Sequence, residues 1–361
     1  MSEVLRFMEM TEGERLMAAQ NLEEPDCVPY YLAFEPEFFA GYCGMDLREY
    51  WMDIDKMVEA QRVVQERFLG EMKYVSSYFT SYAEATSLGA KVVFPENSLP
   101  VLVETEPVVK TVEDAERLEV ADPFKDGLMP LIIKTHQKLK RKVGGKFHVS
   151  LGSGAQGPFT TAALLIGQYR IFVEVYRNPE LVHKVLEVTT SNAINWIKTK
   201  KEIDEAPWEG SGLSDDLGGF LPPRLYEEFV FPYNNKVFET FGGLRHLHSE
   251  SITEKHLDII KRYRLTSFGP DTRMQHIDIP TLKRHLGDDM CILGFVDEVT
   301  TMMHGTPQDV EDAVKRAIAE GAPGGGFRLG VDLCAWPIPP ENVDAFLRAV
   351  KKYGRYPNVA C

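Results

Sequence analysis

Apolar residues recur along this chain at two different spacings. Met57, Ala60, Val64 and Phe68 fall three or four apart, which predicts an amphipathic helix from Asp53 to Leu69. An earlier helix opens at Thr11-Glu12-Gly13-Glu14, where threonine caps and the first turn is acidic. Pro25-Asp26-Cys27-Val28-Pro29 then breaks the chain. Residues 1–70 therefore read as helical with one break. From residue 72 onward, short apolar runs alternate with helical spacing. Strands are predicted over 72–79, 92–94, 101–104, 147–151, 212–215, 244–248, 265–269, 291–296 and 327–331. Helices are predicted over 128–142, after Gly157-Pro158-Phe159, and over 179–201, 223–241, 253–263, 280–286, 307–320 and 340–352.

Strands alternating with helices imply βαβ units and a parallel sheet. About eight such units favour an α/β fold of the (β/α)8 TIM barrel type. The expectation is a single domain over 1–361, with 1–70 a helical N-terminal extension packed on the barrel. No Gly-x-Gly-x-x-Gly follows the first strand, which weakens a dinucleotide-binding reading. Barrel chemistry sits on the loops at C-terminal strand ends. Asp215, Asp216, His248, Asp297 and Cys334 all fall at or just past predicted strand ends.

Composition narrows the partners. The chain has 361 residues, 44% hydrophobic and 26% charged, enough for a large core. A formal net charge of -14 argues against nucleic acid or an anionic membrane as partner. It is no barrier to a homodimer. The start Met1-Ser2-Glu3-Val4-Leu5-Arg6 lacks the apolar core of a signal peptide, and no apolar run is long enough to span a membrane. Five scattered cysteines fit reduced thiols in a cytoplasm.

The candidate chemistry centres on Leu244-Arg245-His246-Leu247-His248-Ser249-Glu250. Side chains at i and i+2 of a strand share a face, so His246 and His248 point the same way. Cys334 ends a second strand-like run, Phe327–Cys334. Two imidazoles and one thiolate brought together make a three-ligand site that suits zinc with an open fourth position. The plainer alternative makes both histidines ordinary strand residues and Cys334 a buried apolar thiol.

Several segments carry a resemblance. Glu14-Arg15-Leu16-Met17-Ala18-Ala19 with Pro25–Pro29 resembles the opening of the uroporphyrinogen decarboxylase superfamily. Gly157-Pro158-Phe159-Thr160, Asp215-Asp216-Leu217-Gly218, Phe231-Pro232-Tyr233, Gly324-Gly325-Gly326-Phe327, Pro340-Glu341-Asn342 and Tyr353–Pro357 are similar to later parts of it, in the same order. The resemblance implies one (β/α)8 barrel. True decarboxylases of that superfamily bind an octa-anionic porphyrinogen with an arginine-rich N-terminal segment and an aspartate. Here the corresponding Tyr30–Glu37 has no arginine and two glutamates, and 79–83 contains no aspartate. Coulomb repulsion makes that a poor polyanion site.

The other branch implied is the corrinoid-linked methyltransferases, including O-demethylase systems. Their zinc motif is His-x-Cys with a distant cysteine. His246-Leu247-His248 stands at the His-x-Cys place, with His248 replacing a cysteine, and Cys334 stands near the last one. The expected activity is a zinc-dependent methyltransferase. It would move a methyl group between methylcobalamin on a corrinoid-binding partner protein and a small-molecule donor or acceptor. Asp216 and Glu250 are expected at the catalytic centre, as a fourth ligand or as orienters of a ligand histidine. Tyr30, Phe34 and Asp215 are expected to touch substrate, although the aromatic cluster around Phe34 equally suits core packing. A decarboxylase of the porphyrinogen type, or a metal-free binding barrel, are the rival readings.

Overall fold

The computed structural model describes residues 9–77, 80–95, 98–270 and 277–356. Among the described residues eleven strands occur in chain order: β1 Tyr30–Phe34, β2 Tyr74–Ser76, β3 Val92–Val93, β4 Val101–Leu102, β5 His148–Ser150, β6 Gly154–Gln156, β7 Ser211–Ser214, β8 Arg245–Ser249, β9 Ser267–Pro270, β10 Cys291–Phe295 and β11 Phe327–Cys334. Helices separate most of them, as the alternating spacing predicts. The chain packs as two compact units. One holds the described residues of Met1–Ala33, Thr266–Cys334 and Ile338–Cys361; the other holds those of Phe34–Leu265 and Ala335–Pro337.

In the first unit β1, β11, β10 and β9 lie side by side in that order. β10 and β11 are parallel, with Ile292 opposite Phe327 and Phe295 opposite Gly330. Tyr30–Phe34 is the main departure from the sequence reading, because a strand stands where residues 1–70 read as helical. Its Tyr30-Tyr31-Leu32-Ala33-Phe34 run is aromatic and apolar on both sides, so it shows no alternation to betray a strand. The run Gly324-Gly325-Gly326 also resolves here. All three have positive φ, and a Cβ on Gly325 would meet the Glu23 carbonyl carbon at 2.5 Å. Gly324 N–H donates to the Glu24 carboxylate at 2.9 Å.

In the second unit β8, β7 and β6 are parallel neighbours, with His246 opposite Gly212 and His248 opposite Ser214. β2 pairs with β5, and β3 with β4 as a small antiparallel hairpin. The strand expected over 72–79 is shorter, and Phe79 lies outside the described residues. The helix expected over 223–241 is two, Pro223–Phe229 and Phe231–Phe241, since Pro232 cannot donate to the turn before it. Helix Pro179–Asp204 buries Val182, Val185, Leu186, Ala193, Trp196 and Ile197 along one stripe. Among the described residues no helix is long and apolar enough to cross a membrane.

Phe34 belongs to the core of this unit. Its ring lies 5.0 Å from Phe38, 5.9 Å from Phe39 and 5.8 Å from Phe68, and Phe38 also meets Trp336 edge-on at 6.2 Å. A substrate contact from Phe34 is therefore not the arrangement found; the aromatic cluster is packing. Phe38 is fully buried. We expect Phe38→Ala to cost about 3–5 kcal/mol in urea unfolding. A loss under about 1 kcal/mol would mean that the cluster is not a packed core.

Candidate active site

A cavity of about 570 Å³ opens within the second unit, with Glu84, Gln156, Lys200, Ser214, His246 and His248 among its lining residues. β8 supplies the two histidines. Leu247 between them is fully buried on the opposite face, so strand alternation turns both imidazoles into the cavity. Asp216 stands just beyond the end of β7. Its Oδ1 lies 3.5 Å from His248 Nε2. Gln156 Nε2 donates to its Oδ2 at 3.4 Å, and Ser214 Oγ lies 3.3 Å from both oxygens. Burial pushes the Asp216 carboxyl above the usual carboxylate range, while His248 pulls it back. The expectation that Asp216 orients a histidine has a geometric basis in this contact.

Its neighbour Asp215 points the other way. It is 1% exposed and is not among the residues lining the cavity. Thr160 Oγ1 donates to its Oδ1 at 2.8 Å and Asn234 Nδ2 to its Oδ2 at 2.7 Å, with Gly218 N–H at 3.3 Å. Its backbone N–H donates to the His248 carbonyl at 2.9 Å, and Ser249 Oγ donates to its carbonyl at 2.6 Å. Burial raises its carboxyl; the three donors lower it in part. Enclosed in this way, Asp215 braces the ends of β7 and β8 rather than meeting substrate. Gly157 makes room for it, since a Cβ there would lie 2.6 Å from the Asp215 Cβ.

The other expected residues are not among those lining the cavity. Glu250 follows β8, half-buried and not among the lining residues. Tyr30 lies in the first unit, edge-on to Phe346 at 6.2 Å and 38% exposed, which is a helix-packing position. Cys334 ends β11 in that same unit and is fully buried. Among the described residues, no three His, Cys, Asp or Glu side chains stand close enough together to hold a metal ion as arranged.

Sequence reasoning missed Lys200, Glu84 and Gln156. Glu84 is 5% exposed, and its Oε1 accepts from Gln156 N–H at 2.9 Å. Lys200 is 6% exposed. It continues the stripe of Ala193, Trp196 and Ile197, and that spacing is the signal that would have found it.

Burial lowers the Lys200 ammonium to about 8 from its ordinary 10.5, against the opposing pull of Glu84 and Asp204. Between those two values the unfolded chain binds more protons than the folded one, so the burial penalty fades as pH rises. We expect the unfolding free energy of the intact protein to gain on that of Lys200→Met by of order 2 kcal/mol between about pH 7 and pH 10. Parallel curves in urea unfolding would mean that the ammonium is not held out of water.

Comparison with known proteins fits this architecture. The family model described as Uroporphyrinogen decarboxylase (URO-D) matches residues 11–353. A uroporphyrinogen decarboxylase from Syntrophotalea carbinolica is 28% identical over 69% of this chain and 70% of its own length. A methylated-thiol--coenzyme M methyltransferase from Methanosarcina mazei is 24% identical over 74% of this chain and 70% of its own. A solved methyltransferase from Methanosarcina mazei superposes with a TM-score of 0.75 at 18% identity, covering 96% of this chain and 99% of that one. That likeness shows the fold, the expected α/β barrel class. With the family model matching nearly the whole chain, this protein belongs to the uroporphyrinogen decarboxylase (URO-D) family.

Proposed function

We propose that this chain is a zinc-dependent methyltransferase that moves a methyl group between a corrinoid on a partner protein and a small molecule held in the cavity. The observation that carries the reading is the pair His246 and His248, side by side on β8 and both lining the cavity. Two imidazoles are donors of the kind zinc takes. The third donor, on this reading, is Cys334. Bound there, zinc would act as a Lewis acid with an open coordination position. The chain's own residues do the positioning. Asp216 holds the His248 ring, and Gln156 and Ser214 hold Asp216. The methyltransferase relative from Methanosarcina mazei supports the same branch. Four free cysteines among the described residues agree with a reducing, cytoplasmic setting.

The names of several relatives favour a second reading, porphyrinogen decarboxylation. The cavity weighs against it. Among the described residues, Lys200 is the one lysine lining it, and no arginine joins it. A porphyrinogen with its full set of carboxylates would meet a single fixed cation beside Glu84.

Metal analysis of the purified protein tests the leading reading. We expect about one zinc per chain after zinc is supplied, with loss in His246→Ala, His248→Ala and Cys334→Ser. A chain that takes up no zinc overturns it. Conversion of uroporphyrinogen III by a zinc-free sample would favour the decarboxylase instead.

A further inference from the structure

We propose that the inner wall of this cavity is a subsite for a small organic carboxylate, held by the ammonium group of Lys200. Lys200 lines the cavity yet is 6% exposed. An ammonium carries three N–H donors. The Gly154 carbonyl accepts from one of them, and the Trp196 ring lies 5.2 Å away beneath the charge. Among the described residues no carboxylate is in ion-pair contact with Lys200; Glu84 and Asp204 act on it only at longer range. A buried charge left with one neutral acceptor is costly. A ligand oxyanion arriving in the cavity would supply the missing partner.

The wall around Lys200 gives the rest of the ligand its character. Ile132, Leu151, Trp196 and Leu213 are apolar, so the carboxylate carries a small apolar or aromatic body. The lowered Lys200 value agrees with a site short of counter-charge, and an anion would restore it. Glu84 sets the limit. Its buried carboxylate lines the same cavity and repels a second negative group, so the subsite takes a monoanion.

The subsite stands on the cavity alone. Only the step that makes its ligand the methyl-transfer substrate rests on the function proposed above. Benzoate and its neutral isostere benzamide are the probes, titrated calorimetrically into the intact protein and into Lys200→Met and Glu84→Gln, with zinc measured in every sample. The intact protein should bind benzoate roughly tenfold or more tightly than benzamide. Lys200→Met should lose that preference, and Glu84→Gln should strengthen benzoate binding. Equal affinity for the two probes, or no binding of benzoate, overturns the subsite, and this comparison needs no variant to fold. Benzoate preference that survives in Lys200→Met overturns the role of the lysine. Preference that persists in a chain that takes up no zinc when supplied upholds the subsite while the metal reading fails.

Discussion

The carboxylate of Asp215 is the constraint on which the second unit turns. A buried carboxylate is tolerated only when donors converge on it. Here they come from three segments: Thr160 on the helix after Gly157, Asn234 on helix Phe231–Phe241, and the Gly218 backbone. The main chain of the same residue bonds the His248 carbonyl and the Ser249 hydroxyl. One residue thus ties strand to strand and both to two helices. The facing direction of His246 and His248 is inherited from that tie.

Adjacent aspartates then divide the work by strand alternation. Asp215 is sealed in the packing, and Asp216 stands 3.5 Å from an imidazole at the cavity. The polar groups at and beside the cavity are held by other protein groups: Asp216 by the Gln156 side chain, and Glu84 by the Gln156 backbone. Gln156 is therefore a hinge of the network, meeting one carboxylate with its side chain and the other with its main chain. Preorganised polar groups of this kind cost little rearrangement when a substrate's charge develops beside them.

Much of this was readable from the chain. Helix positions followed from apolar spacing, and the threonine cap at Thr11 forms its full box with Glu14. The shared face of His246 and His248 needed only the period of a strand. The division between Asp215 and Asp216 was half legible: alternation says that they part, but not which one turns inward. Which residue turns in depends on Thr160 and Asn234, 55 and 19 positions away. β1 escaped because its aromatic and apolar residues fall on both faces and so carry no alternation. Phe34 was ambiguous for a related reason, since an aromatic ring suits a core and a ligand equally. Lys200 was visible as a charge on an apolar stripe, but a cavity wall is a product of tertiary packing.

Gly157 and Asp215 occupy one space between them. Their Cβ atoms could not coexist at 2.6 Å, so the glycine is the imprint of the aspartate on a distant stretch of chain. Any side chain gained at one position must be surrendered at the other. The two sites are one steric unit: a side chain at the Gly-Pro turn fits only if residue 215 shifts away, and the brace on β8 shifts with it.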